Sequence, residues 1–219
     1  MDEKMLWDHY GAIQKSEHFS LGPYYSYQMR NTPRHIIFTL ARYKFAMKMI
    51  GTGRRVLELG CNEGLGSYYL AEFSAAVHGV DFDEEAITWA KDNLPSDKLS
   101  FTCDNFLDKK YGQYEAVVSY DVIEHIYLNK EDLYLQTVLN NLLPTGIFIT
   151  GTPNINAEQY ANQDIAGAHV NMYSGERFQA LLEKYFHNVF LFGQNDEMIH
   201  TGYIPMTHYL IALCCFKKI

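Results

Sequence analysis

Apolar positions along this chain change period several times, and each change marks an element. Between Pro33 and Ile50 the residues Ile36, Ile37, Leu40, Tyr43, Ala46, Met47 and Ile50 recur at helical spacing, with Thr32-Pro33 as the opening signal and Gly51 as the stop. Short apolar or β-branched runs follow at Val56–Leu59, Ala76–Val80, Leu99–Cys103, Ala116–Tyr120 and Ile147–Gly151. Helical patterns separate most of them: one through Tyr68, Tyr69, Leu70 and Phe73, one opened by Asp83, and one over 130–143 with Leu133, Val138, Leu139 and Leu142 inward. Ser174 opens a further helix through Tyr185, and runs at Val189–Phe192 and His208–Phe216 bring the strands to seven. Alternation of this kind predicts one α/β domain, a mostly parallel seven-stranded sheet with helices on both faces. Residues 1–32 differ. Trp7, Tyr10, Phe19, Tyr24, Tyr25 and Tyr27 cluster around His9 and His18 without a regular period, broken at Gly22-Pro23, and read as a cap. The cap either packs aromatic rings on the domain edge or lines a substrate pocket with Tyr24, Tyr25, Tyr27 and Arg30. The chain therefore divides into a cap with the first helix, 1–50, and a domain, 51–219, carrying irregular inserts at about 153–173 and 194–206.

Candidate chemistry begins where the first strand meets glycine. Gly60, Gly64 and Gly66 follow Glu58, and Asp81 closes the second strand. Glycines let a backbone approach a ligand, the next helix offers N–H groups, and an acid at the end of strand two can accept two ribose hydroxyls. This is a Rossmann-like nucleoside-binding layout. ELGCNEG also resembles motif I of the class I S-adenosylmethionine (SAM)-dependent methyltransferases, with Glu58, Gly60 and Gly64 matching and Asn62 where the middle glycine often stands. The resemblance continues in order through GVDFDEEAITWAK, FTCDNFLD, YEAVVSYDVIEHI, LLPTGIFITGTPN and AHVNMYSGERFQALLEKYF, covering roughly residues 50–216. It implies that Glu58 organises the ammonium end of SAM, that Gly60, Asn62 and Gly64 contact the cofactor, and that Asp81 takes the ribose hydroxyls beneath Phe82. Asp104 would hold the adenine amino group while the Asn105 N–H meets a ring nitrogen, and Ser119 joins the cofactor site. An ordinary Asp-Asn turn is the alternative for Asp104 and Asn105.

After strand four, YDVIEH sets Asp121, Glu124 and His125 at i, i+3 and i+4. A helix beginning near Asp121 would gather them on one face, a carboxylate and imidazole set suited to a divalent metal, with His169 of AHVNMYS as a fourth candidate. The arrangement is similar to small-RNA 2′-O-methyltransferases and ubiquinone-pathway O-methyltransferases, in which ExxEH holds a magnesium-class ion. Mg²⁺ or Mn²⁺ is the implied metal, here with Asp in place of the first Glu. Without a metal, His125 or His169 is a candidate general base, with Asp121 beside them.

Composition narrows the partner. At 219 residues the chain accommodates one well-buried domain with appendages, and the net charge of -8 argues against a nucleic-acid backbone as main partner. Cys61, Cys103, Cys214 and Cys215 lack metal spacing and read as reduced thiols. No basic n-region or membrane-length apolar run occurs, so a cytoplasmic enzyme is expected. The expected reaction is in-line transfer of the SAM methyl group to a small-molecule hydroxyl oxygen, on a sugar, a nucleotide-linked sugar or a phenol. A catalytically silent SAM-binding scaffold and an RNA-end 2′-O-methyltransferase are the alternatives. An NAD-dependent dehydrogenase should show a clean GxGxxG instead.

Overall fold

Five parallel strands form the centre of the sheet in the computed structural model, which describes residues 2–14, 19–160 and 167–218, with backbone alone at 12–14 and 158–160. They are β1 (Arg55–Leu59), β2 (Ala76–Asp81), β3 (Leu99–Cys103), β4 (Tyr114–Tyr120) and β5 (Leu142–Pro153). Then β6 (Phe186–Asn195), β7 (Met198–His200) and β8 (Tyr209–Lys217) add antiparallel, giving the order β3-β2-β1-β4-β5-β8-β6-β7. The expected Rossmann-like fold is present, with eight strands rather than seven. The extra one is β7, which returns from a turn at Asp196 (φ 52°) to pair with β6. Three residues show no period-two pattern, so 194–206 reads as irregular throughout. Its later part does meet the insert after β5, because Asn154 Nδ2 donates to the Ile204 and Thr207 carbonyls at 3.2 and 2.8 Å.

Side chains alternate across the central strands, and helices cover both faces. Leu57, Val117 and Phe148 point into one core with Tyr134 and Val138 of α6 (Glu131–Asn141) and Phe178 and Leu182 of α7 (Gly175–Leu182). Val56, Val118 and Ile149 point the other way, against Tyr43, Ala46 and Met47 of α3 (Pro33–Ile50) and Leu70 of α4 (Leu65–Ala71). Asp83 caps α5 (Glu84–Asn93) by accepting the Glu85 and Ala86 N–H groups. The helix expected over 130–143 stops at Asn141, since Leu142 already pairs with Tyr114 in the sheet.

The N-terminal segment is more regular than its pattern suggests. It forms α1 (Glu3–Gln14) and α2 (Pro23–Asn31) on either side of the break at Gly22. Little of either is buried: α2 buries only Tyr25, and α1 leaves Met5, Leu6, Trp7 and Tyr10 exposed. His18, and Asn162, Gln163 and Asp164 of the polar insert, lie outside the described residues. Among the described residues no helix is long and apolar enough to cross a membrane.

Candidate active site

Parallel pairing brings successive strand ends to one edge. Glu58 stands opposite Val118, Asp81 opposite Cys103 and Tyr120 opposite Gly151. Glu58, Asp81, Asp104, Asp121 and Thr152 therefore lie at or just beyond the carboxyl ends, around the point where strand order reverses between β1 and β4.

The loop after β1 is wound tightly. Gly60 and Gly64 have φ of 78° and 75°, and a side chain on Gly60 would strike Val122. Asn62 joins them at φ 48°, a conformation asparagine tolerates, and its Oδ1 accepts the Glu63 N–H at 2.6 Å. Asp81 ties this loop to β2 by accepting the Asn62 and Asp83 N–H groups at 2.8 and 3.0 Å. Phe82 beside it is 76% exposed.

Glu58 is buried and held by one residue each of α3 and α4. Tyr43 donates to its Oε1 at 2.5 Å and Ser67 donates to Oε2. Burial pushes its pKa up to about 7 despite the opposing pull of these two hydroxyls. Asp104 donates its N–H to the Asp81 carbonyl at 2.9 Å and accepts the Tyr111 hydroxyl at 2.9 Å. Asn105 is exposed, its Oδ1 accepting the Leu107 N–H at 3.3 Å. Ser119 is buried and donates to the Leu59 carbonyl at 3.0 Å.

The helix predicted from Asp121 does not form. A single 3-10 turn, Ile123–His125, follows instead, and Asp121 precedes it at φ 55°. That left-handed backbone keeps Asp121 out of a right-handed helical turn, and its N–H stays tied to the sheet, donating to the Gly151 carbonyl at 3.1 Å and the Tyr209 hydroxyl at 3.2 Å. The i, i+3, i+4 face is lost with it. Asp121 pairs with Arg42 at 2.5 Å, whose guanidinium lies 4.1 Å from the Tyr209 ring centroid.

Glu124, His125 and His169 do come together, with one ligand atom from each within 4.8 Å of the others; Asp121 is not in that group. Glu124 is wholly buried, its Oε2 accepting the Thr152 hydroxyl at 3.1 Å while Oε1 has no partner among the described residues. Burial raises its pKa well above the usual carboxylate range, and the nearby Asp121 charge adds to that. An orphaned buried oxygen is costly and calls for a proton or a cation. His125 Nδ1 lies 2.9 Å from the Ala168 carbonyl, and the two imidazole centroids are 5.1 Å apart.

The sequence offers no sign of what holds His169 there. Asn171 donates from its backbone to the Glu124 carbonyl at 3.1 Å and from Nδ2 to the Ile126 carbonyl at 3.1 Å and Glu131 at 2.8 Å. Tyr173 and Arg177 both donate to the same Glu131 oxygen at 2.5 Å. The second unanticipated contact joins the cap to the loop. Buried Glu63 accepts the Tyr24 and Tyr25 N–H groups at 2.7 and 3.2 Å, capping α2 from the glycine loop. Spacing within a segment gives no signal for either, since each partner lies on a distant element.

A family model described as a methyltransferase domain matches residues 25–186. A probable S-adenosylmethionine-dependent methyltransferase of Mycolicibacterium smegmatis is 30% identical over 102 residues, 47% of this chain and 39% of that protein. The magnesium-protoporphyrin O-methyltransferase of Rhodobacter capsulatus is 38% identical over 85 residues, 37% of each chain. The chain thus spans well under half the length of these two relatives. A TehB-like SAM-dependent methyltransferase from Corynebacterium glutamicum shares the fold with a TM-score of 0.65 at 16% identity, over 90% of this chain and 100% of that one. With that fold, and with the family model matching most of its length, the chain belongs to the class I SAM-dependent methyltransferase family.

Proposed function

We propose that this chain transfers the methyl group of SAM to a hydroxyl oxygen of a small-molecule acceptor such as a sugar, a nucleotide-linked sugar or a phenol. SAM supplies the activated methyl, and the chain supplies binding, orientation and handling of the acceptor proton. Asp81 takes the ribose hydroxyls, Phe82 covers the adenine, and Asp104 with the Asn105 N–H reads its edge. Gly60, Asn62 and Gly64 carry the backbone past the amino-acid end, where Glu58 acts. Ser119 anchors the end of β1 through Leu59.

The preference for oxygen rests on one observation, the Glu124, His125 and His169 group with a carboxylate oxygen unpartnered among the described residues. A carboxylate and two imidazoles fit a divalent ion, Mn²⁺ better than Mg²⁺ because two donors are nitrogen. A bound ion would polarise the acceptor hydroxyl as a Lewis acid. Otherwise His125 or His169 accepts the hydroxyl proton, with Asp121 at the same edge held by Arg42. The net charge of -8 supports a small acceptor over a phosphate backbone. The O-methyltransferase named among the relatives supports the oxygen preference.

Calorimetry tests this. Protein saturated with S-adenosylhomocysteine is titrated with Mn²⁺, beside His125→Ala and His169→Ala, and then assayed with SAM on a panel of hydroxyl, amine and thiol acceptors. Stoichiometric Mn²⁺ binding lost in both variants, with turnover on hydroxyls, is the expected result. Transfer confined to amines or thiols overturns the oxygen assignment, and absence of any heat from S-adenosylhomocysteine overturns the cofactor.

A further inference from the structure

The loop after β3 is bolted to α6 by two buried polar side chains. Asn141 accepts the Tyr111 and Gly112 N–H groups on Oδ1 at 2.6 and 3.1 Å and donates to the Lys109 carbonyl at 2.8 Å. Thr137 accepts the Asp108 N–H at 2.8 Å and donates to the Phe106 carbonyl at 2.8 Å. Both are 0% exposed. Polar groups that deep are costly unless every bond is met, and here the bonds fix the path of residues 106–112.

That path delivers Tyr111 to Asp104. Its hydroxyl donates to Asp104 Oδ2 at 2.9 Å, and its ring stands edge-on to His78 at 5.6 Å and 86°. His78 is clamped in turn, Nδ1 2.9 Å from the Tyr114 hydroxyl and Nε2 2.8 Å from the Thr102 hydroxyl. Burial, reinforced by the Asp104 carboxylate, raises the Tyr111 pKa, so the phenol keeps the proton it donates. Burial lowers that of His78, which keeps the brace neutral. With Oδ2 engaged from inside the protein, Oδ1 is left 3.9 Å from Lys109, next to the ends of β2 and β3.

We propose that Tyr111 is a positioning residue that makes Asp104 a reader of the purine 6-substituent, directing one carboxylate oxygen as an obligate acceptor toward a 6-amino base and against a 6-oxo base. An ionised carboxylate only accepts hydrogen bonds; an adenine amino group donates to it, whereas a hypoxanthine oxygen meets it lone pair to lone pair. The inference rests on the cofactor reading above.

Its test compares the affinities of S-adenosylhomocysteine and its 6-oxo counterpart, S-inosylhomocysteine, for wild type, Tyr111→Phe and Asp104→Asn. Phenylalanine keeps the ring against His78 and removes only the donor, and the thermal midpoint of each variant reports its folding. Wild type is expected to favour the adenine ligand, and Tyr111→Phe to lower that preference about tenfold, through weaker adenine binding alone. Asp104→Asn, which offers an amide donor, is expected to tolerate the 6-oxo ligand. Equal weakening of both ligands in Tyr111→Phe would reduce the tyrosine to packing and overturn the proposal. A wild type that binds both ligands equally overturns base reading by Asp104, and one that binds neither overturns the cofactor reading itself.

Discussion

Glu58 is 1% exposed, between Tyr43 and Ser67, and desolvation outweighs both hydroxyls to put its pKa at about 7 rather than the ordinary 4.5. Between those values the folded chain holds a proton that the unfolded chain has released. Its contribution to stability is therefore full below about pH 4.5 and is lost as pH rises through about 7, a change on the order of 3 kcal/mol. Glu58→Gln, which cannot ionise, should flatten the dependence of urea-unfolding free energy on pH across that window. Equal slopes in the two proteins would clear Glu58 as the cause. Asp121 illustrates a different constraint. Asp121→Ala strands the buried Arg42 guanidinium and puts alanine at φ 55°. The Asp121 side chain is 45% exposed, so solvent already weakens the pair, and the expected loss is about 2 kcal/mol rather than the larger value for a fully buried ion pair. Urea unfolding reads this directly, and a change within about 0.5 kcal/mol would mean that the Phe38 carbonyl, the Thr39 hydroxyl and the Tyr209 ring satisfy the guanidinium without Asp121.

Elements are joined here by single side chains. Helix α2 has no side-chain cap of its own, so Glu63 of the glycine loop accepts its first N–H groups. Glu63→Ala should speed hydrogen exchange at Tyr25 and neighbouring amides and cost about 1 kcal/mol, the usual worth of a helix N-cap. Unchanged exchange would show that α2 is held by packing of Tyr25. The segment from 167 to Tyr173 is joined through the Asn171 side chain, whose Nδ2 reaches both Glu131 at the start of α6 and the Ile126 carbonyl at the end of the Glu124 turn. Asn171→Leu leaves Glu124, His125 and His169 untouched. It should nonetheless weaken Mn²⁺ binding at least tenfold, because a shift of about 1 Å separates the three donors. Retained affinity would mean that His169 is placed by other contacts.

For the whole molecule, the edge proposed to hold the nucleoside lies where strand order reverses, and a ligand bound there would touch loops from β1, β2, β3 and β4 together. S-adenosylhomocysteine at a hundred times its Kd should stabilise the folded chain by about 2.7 kcal/mol, seen as a raised thermal midpoint, while NAD should give no shift. A shift with NAD alone would favour a dehydrogenase. The central strands, α3 with its Gly51 stop, the Asp83 cap and the tight loop through Asn62 were all legible along the chain. Each depends on residues a few positions apart, so periodicity and backbone demands report them directly. The sequence also placed Asp81 and Asp104 at strand ends and nominated Glu124, His125 and His169. Tertiary structure decided the rest. Strand β7 forms only because β6 is there to pair with it, and how little of α1 and α2 is buried depends on what each packs against. Asp121 leaves the metal-type group because sheet hydrogen bonds hold its backbone and Arg42, far back in the sequence, takes its carboxylate. Such contacts follow from which surfaces meet once the sheet is built, and no local pattern encodes the choice of partner.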